Sequence, residues 1–220
     1  MTYYLENYNL ENFSVEEKSF IMGTLLGDGH LQKHGANSFR LKIAHSIKQK
    51  QYVEWKHDKL KRFCTTTKGP TERVEAKGVT VRFETGATSE FSVMHSLFYK
   101  QQGVGKTGKP KYVKIITQEL IEQLPMNPYV LALWYMDDGS VRDDCNAGKL
   151  ATQGFSLDEN KLLSGYLEKW GIKANVIKHT VASGQYYIGL PAATFSKFTS
   201  IIKPIVSEIP SMLLKLGNNV

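Results

Sequence analysis

The chain has 220 residues, of which 41% are hydrophobic and 22% are charged, a composition typical of a globular protein with a sizeable core in one or two domains. Its apolar stretches are too short to span a bilayer, and its N-terminus lacks the basic start and apolar core of a signal peptide, so we expect an intracellular protein that does not enter a membrane. The net charge of +7 favours a polyanionic partner.

Local signals in the first half begin with a capping box, Ser14-Val15-Glu16-Glu17, which predicts the start of a helix. Alternation of apolar and polar residues over 38–44 predicts a half-buried strand with a basic open face. In chain order, the first half predicts a helix ending at Gly29, a turn over 30–35, the strand over 38–44, a helix over 48–64, strands over 73–76 and 79–84, a helix over 89–99, a loop over 100–111 and a helix over 117–124.

The second half repeats this order of elements. Asn127-Pro128 supplies an N-cap and a first-turn proline, and Ser156-Leu157-Asp158-Glu159 is a second capping box. In chain order, we predict a helix from Asn127, strands over 141–145 and 150–155, a helix from Ser156 to about residue 170, strands over 173–180 and 185–190, and helices over 191–203 and 207–215.

A nine-residue pattern occurs once in each half, at residues 21–29 and 131–139. Each copy is an apolar helical run that ends in an acidic residue followed by glycine. The two acids, Asp28 and Asp138, stand 110 positions apart (138 − 28), which is half of the chain. The repeat predicts a duplicated protein with halves at 1–124 and 125–220 and one composite site where the halves join.

Both copies resemble the LAGLIDADG signature of the homing endonucleases, in the single-chain form that carries two motifs. The first copy keeps Gly23, Gly27, Asp28 and Gly29. The second keeps Leu131, Ala132, Asp138 and Gly139, but it has Leu133, Trp134 and Asp137 where the pattern has smaller or aliphatic residues. The resemblance implies an α+β fold of two αββαββα halves that are packed through their motif helices, with antiparallel sheets that form a DNA-binding saddle.

The chemistry of phosphodiester hydrolysis gives a reason for an acid at each motif end. A divalent cation can activate water, neutralise charge on phosphorus oxygens and assist the leaving oxygen. Hard cations prefer carboxylate and carbonyl oxygens, and a cation relieves the repulsion between two neighbouring acids at helix C-termini. We therefore predict a Mg²⁺ site, which Mn²⁺ or Ca²⁺ can also occupy, made by the carboxylates of Asp28 and Asp138 and the carbonyls of Gly27 and Asp137.

The resemblance implies four further catalytic positions. The family places a lysine from each half near the metal, which points to Lys215 and to Lys111, with Lys114 as the alternative to Lys111. Its water-organising positions correspond to His45 in the first half and Gln153 in the second.

Polar residues on the predicted strand faces are the candidates for DNA contact, because the major groove presents a distinct pattern at each base pair. The strand positions are Ser38, Arg40, Lys42, Arg73, Glu75, Thr80, Arg82, Glu84, Arg142, Lys149, Asn175 and His179. Loop positions that suit phosphate contacts are Gln32, Lys33, His34, Lys68 and Lys178.

The resemblance implies a monomer that makes a site-specific double-strand break with staggered ends in a long asymmetric DNA target. Two alternatives stay open at this stage. One is a maturase that binds intron RNA, and the other is a DNA-binding protein of the same fold that does not cleave. Retention of both acids, Asp28 and Asp138, favours the nuclease.

Overall fold

The computed structural model describes residues 10–66, 68–105, 108–142, 145–180, 182 and 184–219. The elements of the first half are α1 (Val15–Leu26), β1 (His30–Lys33), β2 (Phe39–Ser46), α2 (Lys50–Lys59), β3 (Thr71–Glu75), β4 (Gly78–Glu84), α3 (Ser92–Phe98), β5 (Tyr99–Val104), β6 (Pro110–Lys114) and α4 (Gln118–Gln123). Those of the second half are α5 (Pro128–Asp138), β7 (Gly139–Val141), β8 (Gly148–Leu150), α6 (Leu157–Lys169), β9 (Asn175–Lys178), β10 (Tyr186–Leu190), α7 (Ala192–Val206) and a 3-10 segment, Pro210–Asn219.

The two four-stranded sheets have the same topology. Strand order is β1-β2-β4-β3 in the first and β7-β8-β10-β9 in the second, and all neighbours are antiparallel. Each half therefore runs αββαββα, and the predicted α+β fold with pseudo-symmetric halves is confirmed. The first half adds the two-stranded hairpin β5–β6 and α4 before the second half begins.

Helix starts follow the local signals of the sequence. Ser14 and Glu17 form a reciprocal capping box at α1, and Ser156 and Glu159 form another at α6. Asn127 caps α5 through its side chain, which accepts a hydrogen bond from the Tyr129 N–H. These contacts lie within four residues, so they form in the same way wherever the helix packs.

Helices α1 and α5 pack against each other at the centre of the molecule, and residues 19–26 of α1 and 130–136 of α5 are buried. A Cβ atom at Gly23 would lie 2.9 Å from the Cα of Val130, so only glycine allows the two backbones to approach this closely. The close approach brings the C-terminal ends of the two motif helices together.

Strand β2 shows the predicted alternation. Phe39, Leu41 and Ile43 are buried against the helices, while Arg40 and Lys42 lie on the opposite face. One face of this sheet therefore covers the core and the other is open.

Two predictions for polar segments of the first half were wrong. Residues 30–35 were expected to form a turn, but they include edge strand β1, in which only Leu31 is buried. Residues 100–111 were expected to form a loop, but they contribute most of the β5–β6 hairpin. Strands that are exposed over most of their length carry no apolar alternation, so the pattern on which strand prediction depends is missing.

The first two strands of the second half were predicted too late in the chain. They were expected over 141–145 and 150–155, but β7 starts at Gly139, directly after the motif acid, and β8 starts at Gly148. Gly148 lies against the ring of Phe195, where a larger side chain would not fit. Glycine here serves close packing within the strand rather than a turn.

Among the described residues, none of the helices is both long and apolar enough to cross a membrane.

Candidate active site at the join of the motif helices

The two motif acids lie at the meeting ends of the central helices. Asp28 follows the C-cap residue Gly27 of α1, and Asp138 is the last residue of α5. Burial, followed by repulsion from Asp28 and Asp137, raises the pKa of Asp138 to about 7. Burial and the Asp137 charge likewise raise the pKa of Asp28. The site therefore concentrates negative charge in a partly buried environment.

One lysine from each half approaches these acids. Lys114 Nζ donates to the Gly27 carbonyl at 2.6 Å, and Lys215 Nζ donates to the Gly139 carbonyl at 2.6 Å. Burial lowers the pKa of Lys114 to about 8, although the nearby acids oppose the shift. Burial also lowers the pKa of Lys215. Both ammonium groups are thus held in place beside the motif ends.

The sequence-based choice of Lys111 over Lys114 is not supported by this geometry. Lys111 is exposed on β6, three residues before the lysine that bonds to Gly27. The charges that act on Asp28 include Lys56, Lys114 and Lys215. The geometry therefore favours Lys114, the alternative that the sequence left open, and the catalytic role of either lysine stays a prediction.

A fully buried ion pair lies directly behind the motif ends. Lys56 Nζ donates to both oxygens of Asp137, at 2.7 and 3.0 Å, and the Tyr52 hydroxyl donates to Oδ1 at 2.7 Å. The side chains of Lys56 and Asp137 are both 0% exposed. Burial by itself would raise the pKa of Asp137, but the charge and hydrogen bond of Lys56 outweigh it and hold that pKa below its ordinary value.

Asp137 also links the two halves of the site. Its Oδ2 accepts a hydrogen bond from the backbone N–H of Asp28 at 3.1 Å. Gly27 makes room for the carboxylate, because a Cβ atom at Gly27 would lie 2.5 Å from Asp137 Oδ2. The Asp137 carboxylate thus makes a positioning contact across the join, and the predicted role of the Asp137 carbonyl as a metal ligand stays a prediction.

The two predicted water-organising residues differ in their surroundings. His45 is buried, with Nδ1 3.6 Å from Asp28 Oδ2 and Nε2 3.7 Å from Asp137 Oδ1. Burial and the Lys56 charge lower its pKa to about 4, so His45 is neutral at pH 7. Gln153 is half-buried in the turn after β8.

The donor set fits a hard divalent cation. Ligand atoms of Asp28, His45 and Asp137 all lie within 4.8 Å of one another. Asp137 already accepts from Lys56, Tyr52 and the Asp28 N–H, so its carboxylate is neutralised and its acceptor sites are largely filled. Within the part of the chain that the structure describes, the carboxylates of Asp28 and Asp138 accept no hydrogen bond from a lysine. Burial, followed by repulsion from neighbouring acids, raises both pKa values, and a cation would offset both effects.

Tyr52 and Lys56 are the functional residues that the sequence interpretation missed. Both lie on the buried side of α2, together with Val53 and Leu60. A spacing of four residues places Lys56 on the same helix face as the apolar Tyr52. A lysine on an apolar helix face indicates that a buried acid lies nearby. The extra acid of the second motif, Asp137, was the matching half of that signal.

Most of the predicted base contacts of the first half share the open face of its sheet. Strand register places Gln32 opposite Arg40, Lys42 opposite Glu84 and Thr80 opposite Arg73. The residues on this face are Gln32, Arg40, Lys42, Arg73, Glu75, Thr80, Arg82 and Glu84. Lys33 is different, because it pairs with the core-facing Phe39 at the end of β1.

Several charges on this face are already paired. Arg40 lies 2.7 Å from Glu84, and Lys42 lies 3.6 Å from the same carboxylate. His34 contacts the Arg40 guanidinium at 2.6 Å, and Ser38 is half-buried just before β2. Such pairs hold long side chains across the sheet and can exchange partners when a ligand binds.

The second sheet offers a smaller polar face. Lys149 lies opposite Ser140, and Gly189 lies between Lys149 and Asn175. Of the remaining predicted contacts, Arg142, Lys178 and His179 are exposed. Lys178 pairs with Tyr186 and lies three residues after Asn175 on the same strand, so its side chain lies on the opposite face of the sheet from that of Asn175.

Comparisons with known proteins agree with this architecture. The sequence profile of the LAGLIDADG DNA endonuclease family matches residues 18–198. The chain is 29% identical, over 96% of its length, to cytochrome b mRNA maturase bI2 of Saccharomyces cerevisiae, and it spans 50% of that protein. It is 27% identical, over 94% of its length, to DNA endonuclease I-ChuI of Chlamydomonas applanata, and it spans 98% of that protein. The chain thus covers half of one relative and nearly all of the other.

Two solved structures show the same fold. The homing endonuclease I-WcaI bound to its DNA recognition sequence gives a TM-score of 0.75 at 23% identity, and the match covers 100% of this chain and 94% of that one. A variant of the homing endonuclease I-DmoI, in complex with its target DNA and in the presence of Mn, gives a TM-score of 0.55 at 12% identity, with 86% of this chain and 96% of that one covered.

Proposed function

The chain belongs to the LAGLIDADG DNA endonuclease family, and on that premise we propose that it is a homing endonuclease that makes a site-specific double-strand break with staggered ends in DNA. The observation that carries the proposal is the composite site. Two partly buried acids, Asp28 and Asp138, meet at the ends of the central helices, and each half adds one lysine. Two helices that only pack together in the core would not require four charged side chains at their meeting ends.

We assign Asp28 and Asp138 to the binding of Mg²⁺, with Mn²⁺ or Ca²⁺ able to take the same place. The bound ion would supply an activated water and would neutralise charge on the scissile phosphate. The presence of Mn with the related fold of I-DmoI supports a divalent ion. Because the two acids repel each other in the free protein, binding of a cation is favoured at this point.

The protein's own residues have distinct roles in this proposal. Lys114 and Lys215 place a positive charge beside each motif end, where they stabilise the charge that develops on a phosphate. His45 is neutral and buried beside Asp28, so it orders water as a hydrogen-bonding group, and Gln153 has the corresponding role in the second half. Asp137 holds the Asp28 backbone in position.

We assign DNA recognition to the open faces of the two sheets. The halves, residues 1–124 and 125–220, differ in sequence, so one chain presents two different surfaces to the duplex. This suits a monomer on a long asymmetric target. The first sheet, with Arg40, Lys42 and Arg82 on its open face, supplies the larger of the two polar surfaces.

A second candidate is assistance of intron RNA splicing. It is favoured by one observation: the relative that aligns over 96% of this chain is named a cytochrome b mRNA maturase. Splicing of RNA and cleavage of DNA are separable by assay, and the proposed metal chemistry requires both acids for cleavage.

The test is selection of cleaved sequences from a randomised DNA library in Mg²⁺, followed by cleavage of a plasmid that carries the selected target. We expect one asymmetric target to be cut on both strands, and no cutting when the metal is removed by a chelator. Failure to cut any library member, together with stimulated splicing of an intron RNA, would replace the endonuclease with the maturase.

A further inference from the structure

The β5–β6 hairpin is the main structural difference between the two halves. It is inserted between α3 and α4, whereas in the described part of the second half the sheet β7-β8-β10-β9 has no such addition. The segment of residues 99–114 contains five lysines and no aspartate or glutamate. A strongly basic and exposed insertion on a protein of this family needs a physical explanation.

The base of the hairpin is fixed to the first sheet. The Tyr99 hydroxyl accepts a hydrogen bond from the Leu31 N–H at 3.0 Å. The ring of His95 stacks between Phe39 and Tyr99, with centroid distances of 4.2 and 4.8 Å, and it meets the Tyr112 ring edge-on. Because both hairpin strands contribute an aromatic ring to this cluster, the hairpin is held at a defined angle to edge strand β1.

A groove of about 450 Å³ separates the hairpin from β1. One wall contains His30 and Gln32, whose register partners are Lys42 and Arg40 on the open face of the sheet. The other wall contains Lys109 and Tyr112 of the hairpin. The groove therefore continues the open face beyond the edge of the first sheet.

The lysines of the hairpin differ from the cations on the sheet in whether they are paired with an acid. Arg40 and Lys42 share Glu84, whereas Lys100 and Lys109 have no acidic partner among the residues that the structure describes. The lining of the groove contains no aspartate or glutamate. Lys109 lines the groove, whereas Lys100 pairs with Val113 and therefore lies on the opposite face of the hairpin from the groove-lining Tyr112. An uncompensated lysine beside a groove without acids is suited to phosphate groups, whose contacts position a duplex without reading its sequence.

The end of the hairpin reaches the active site. Lys114, the last residue of β6, donates to the Gly27 carbonyl beside Asp28. A duplex whose scissile phosphate lies at Asp28 and whose grooves follow the open sheet would therefore pass the hairpin on the side of the first half.

We propose that the β5–β6 hairpin and β1 form a backbone-binding arm, in which Lys109 contacts a phosphate of the target duplex on one half-site only. The inference rests on the proposed DNA-binding function and adds an asymmetric set of contacts to it. The arm contributes affinity and register without reading bases.

The experiment compares Lys109→Gln with the charge-matched control Lys61→Gln, which removes an exposed lysine just beyond α2. Affinity for a mixed-sequence DNA duplex is measured over a range of salt concentrations in Ca²⁺. We expect the slope of log K against log salt to become shallower by roughly 0.9 for each phosphate that the hairpin variant no longer neutralises, and to be unchanged in the control.

A hydroxyl-radical footprint on the selected target gives the second measurement. We expect the hairpin variant to lose protection at one end of the target and to keep it at the other. Equal slopes for the hairpin variant and the wild type, or an equal loss of protection at both ends, would overturn the proposal while leaving the endonuclease intact. If the wild type bound no duplex DNA at all, the proposed function and the arm would both fail.

Discussion

The buried pair Lys56–Asp137 gives the most quantitative prediction of this structure. Both side chains are fully buried, and the pair joins α2 to the end of α5. In Lys56→Met, Asp137 keeps the Tyr52 hydroxyl and the Asp28 N–H but loses its only cationic hydrogen-bond donor among the described residues. Removal of one partner from a buried ion pair costs roughly 3–5 kcal/mol, because the other charge stays buried without compensation.

This loss is a large fraction of the roughly 5–15 kcal/mol that stabilises a native protein. Asp137→Asn should cost a similar amount, because it leaves Lys56 without its anion. In the double variant Lys56→Met/Asp137→Asn neither charge remains, so we expect a loss clearly smaller than the sum of the two single losses. Lys61→Met, which removes an exposed lysine just beyond α2, should leave the free energy of unfolding unchanged.

The assay is urea unfolding of the wild type, the two single variants, the double variant and the control at neutral pH. The pH dependence of the free energy of unfolding shows whether the Asp137 charge stabilises or destabilises the protein. The pKa of Asp137 is lower in the folded protein than in the unfolded chain, where it is about 4. Asp137 therefore stabilises the wild type above about pH 4, and this contribution is lost as the pH falls through the folded-state pKa. In Lys56→Met burial raises that pKa, so Asp137 should destabilise the protein as the pH rises above about 4. Strictly additive losses would refute the proposed coupling.

Three further predictions concern the site and its surface. Lys114→Met should slow single-turnover cleavage of a plasmid target, whereas Lys111→Met should cut at the wild-type rate; the reverse result would restore the sequence-based choice of Lys111. The raised pKa of Asp138, about 7, means that the folded protein binds this proton more tightly than the unfolded chain does. The contribution of Asp138 to the stability of the metal-free protein should therefore fall as the pH rises toward neutrality, so the wild type should lose stability relative to Asp138→Asn in urea titrations at a series of pH values. Arg40→Ala should relax base preference at one target position by about 1–3 kcal/mol, measured by binding to substituted targets; equal weakening on all of them would assign Arg40 to a phosphate.

Local features of this fold could be predicted well from the sequence. The capping boxes at Ser14 and Ser156 and the alternation of β2 depend on residues a few positions apart, and each was found where it was expected. The repeated motif likewise predicted the paired helices α1 and α5, because the same apolar run with an acid at its end occurs in both.

The first-half lysine could not be assigned reliably by spacing. Lys114 lies 86 positions after Asp28 (114 − 28), whereas Lys215 lies 77 positions after Asp138 (215 − 138). The β5–β6 hairpin is inserted between the acid and the lysine in the first half, and it brings Lys114 into the site at the end of a strand. Its exposed strands lack an apolar pattern, so the sequence predicts a loop there, and the offset between acid and lysine by itself favours Lys111 over the lysine that contacts Gly27.

The buried pair was missed for a different reason. Lys56 and Asp137 stand 81 residues apart in opposite halves, and no local pattern reports a contact over that distance. Lys56 on the apolar face of α2 indicates that some buried acid is needed, but which acid it is becomes clear only when α1 and α5 are packed closely at Gly23 and Gly27.

The central claim is that Asp28 and Asp138 form one metal-dependent site that cuts both DNA strands. The most direct test is plasmid cleavage in Mg²⁺ by Asp28→Asn and Asp138→Asn, with Asp58→Asn as the matched control because Asp58 is an exposed acid on α2. We expect both motif variants to bind the selected target and to make no double-strand break, while the control cuts as the wild type does. Full double-strand cleavage by either motif variant would contradict the account.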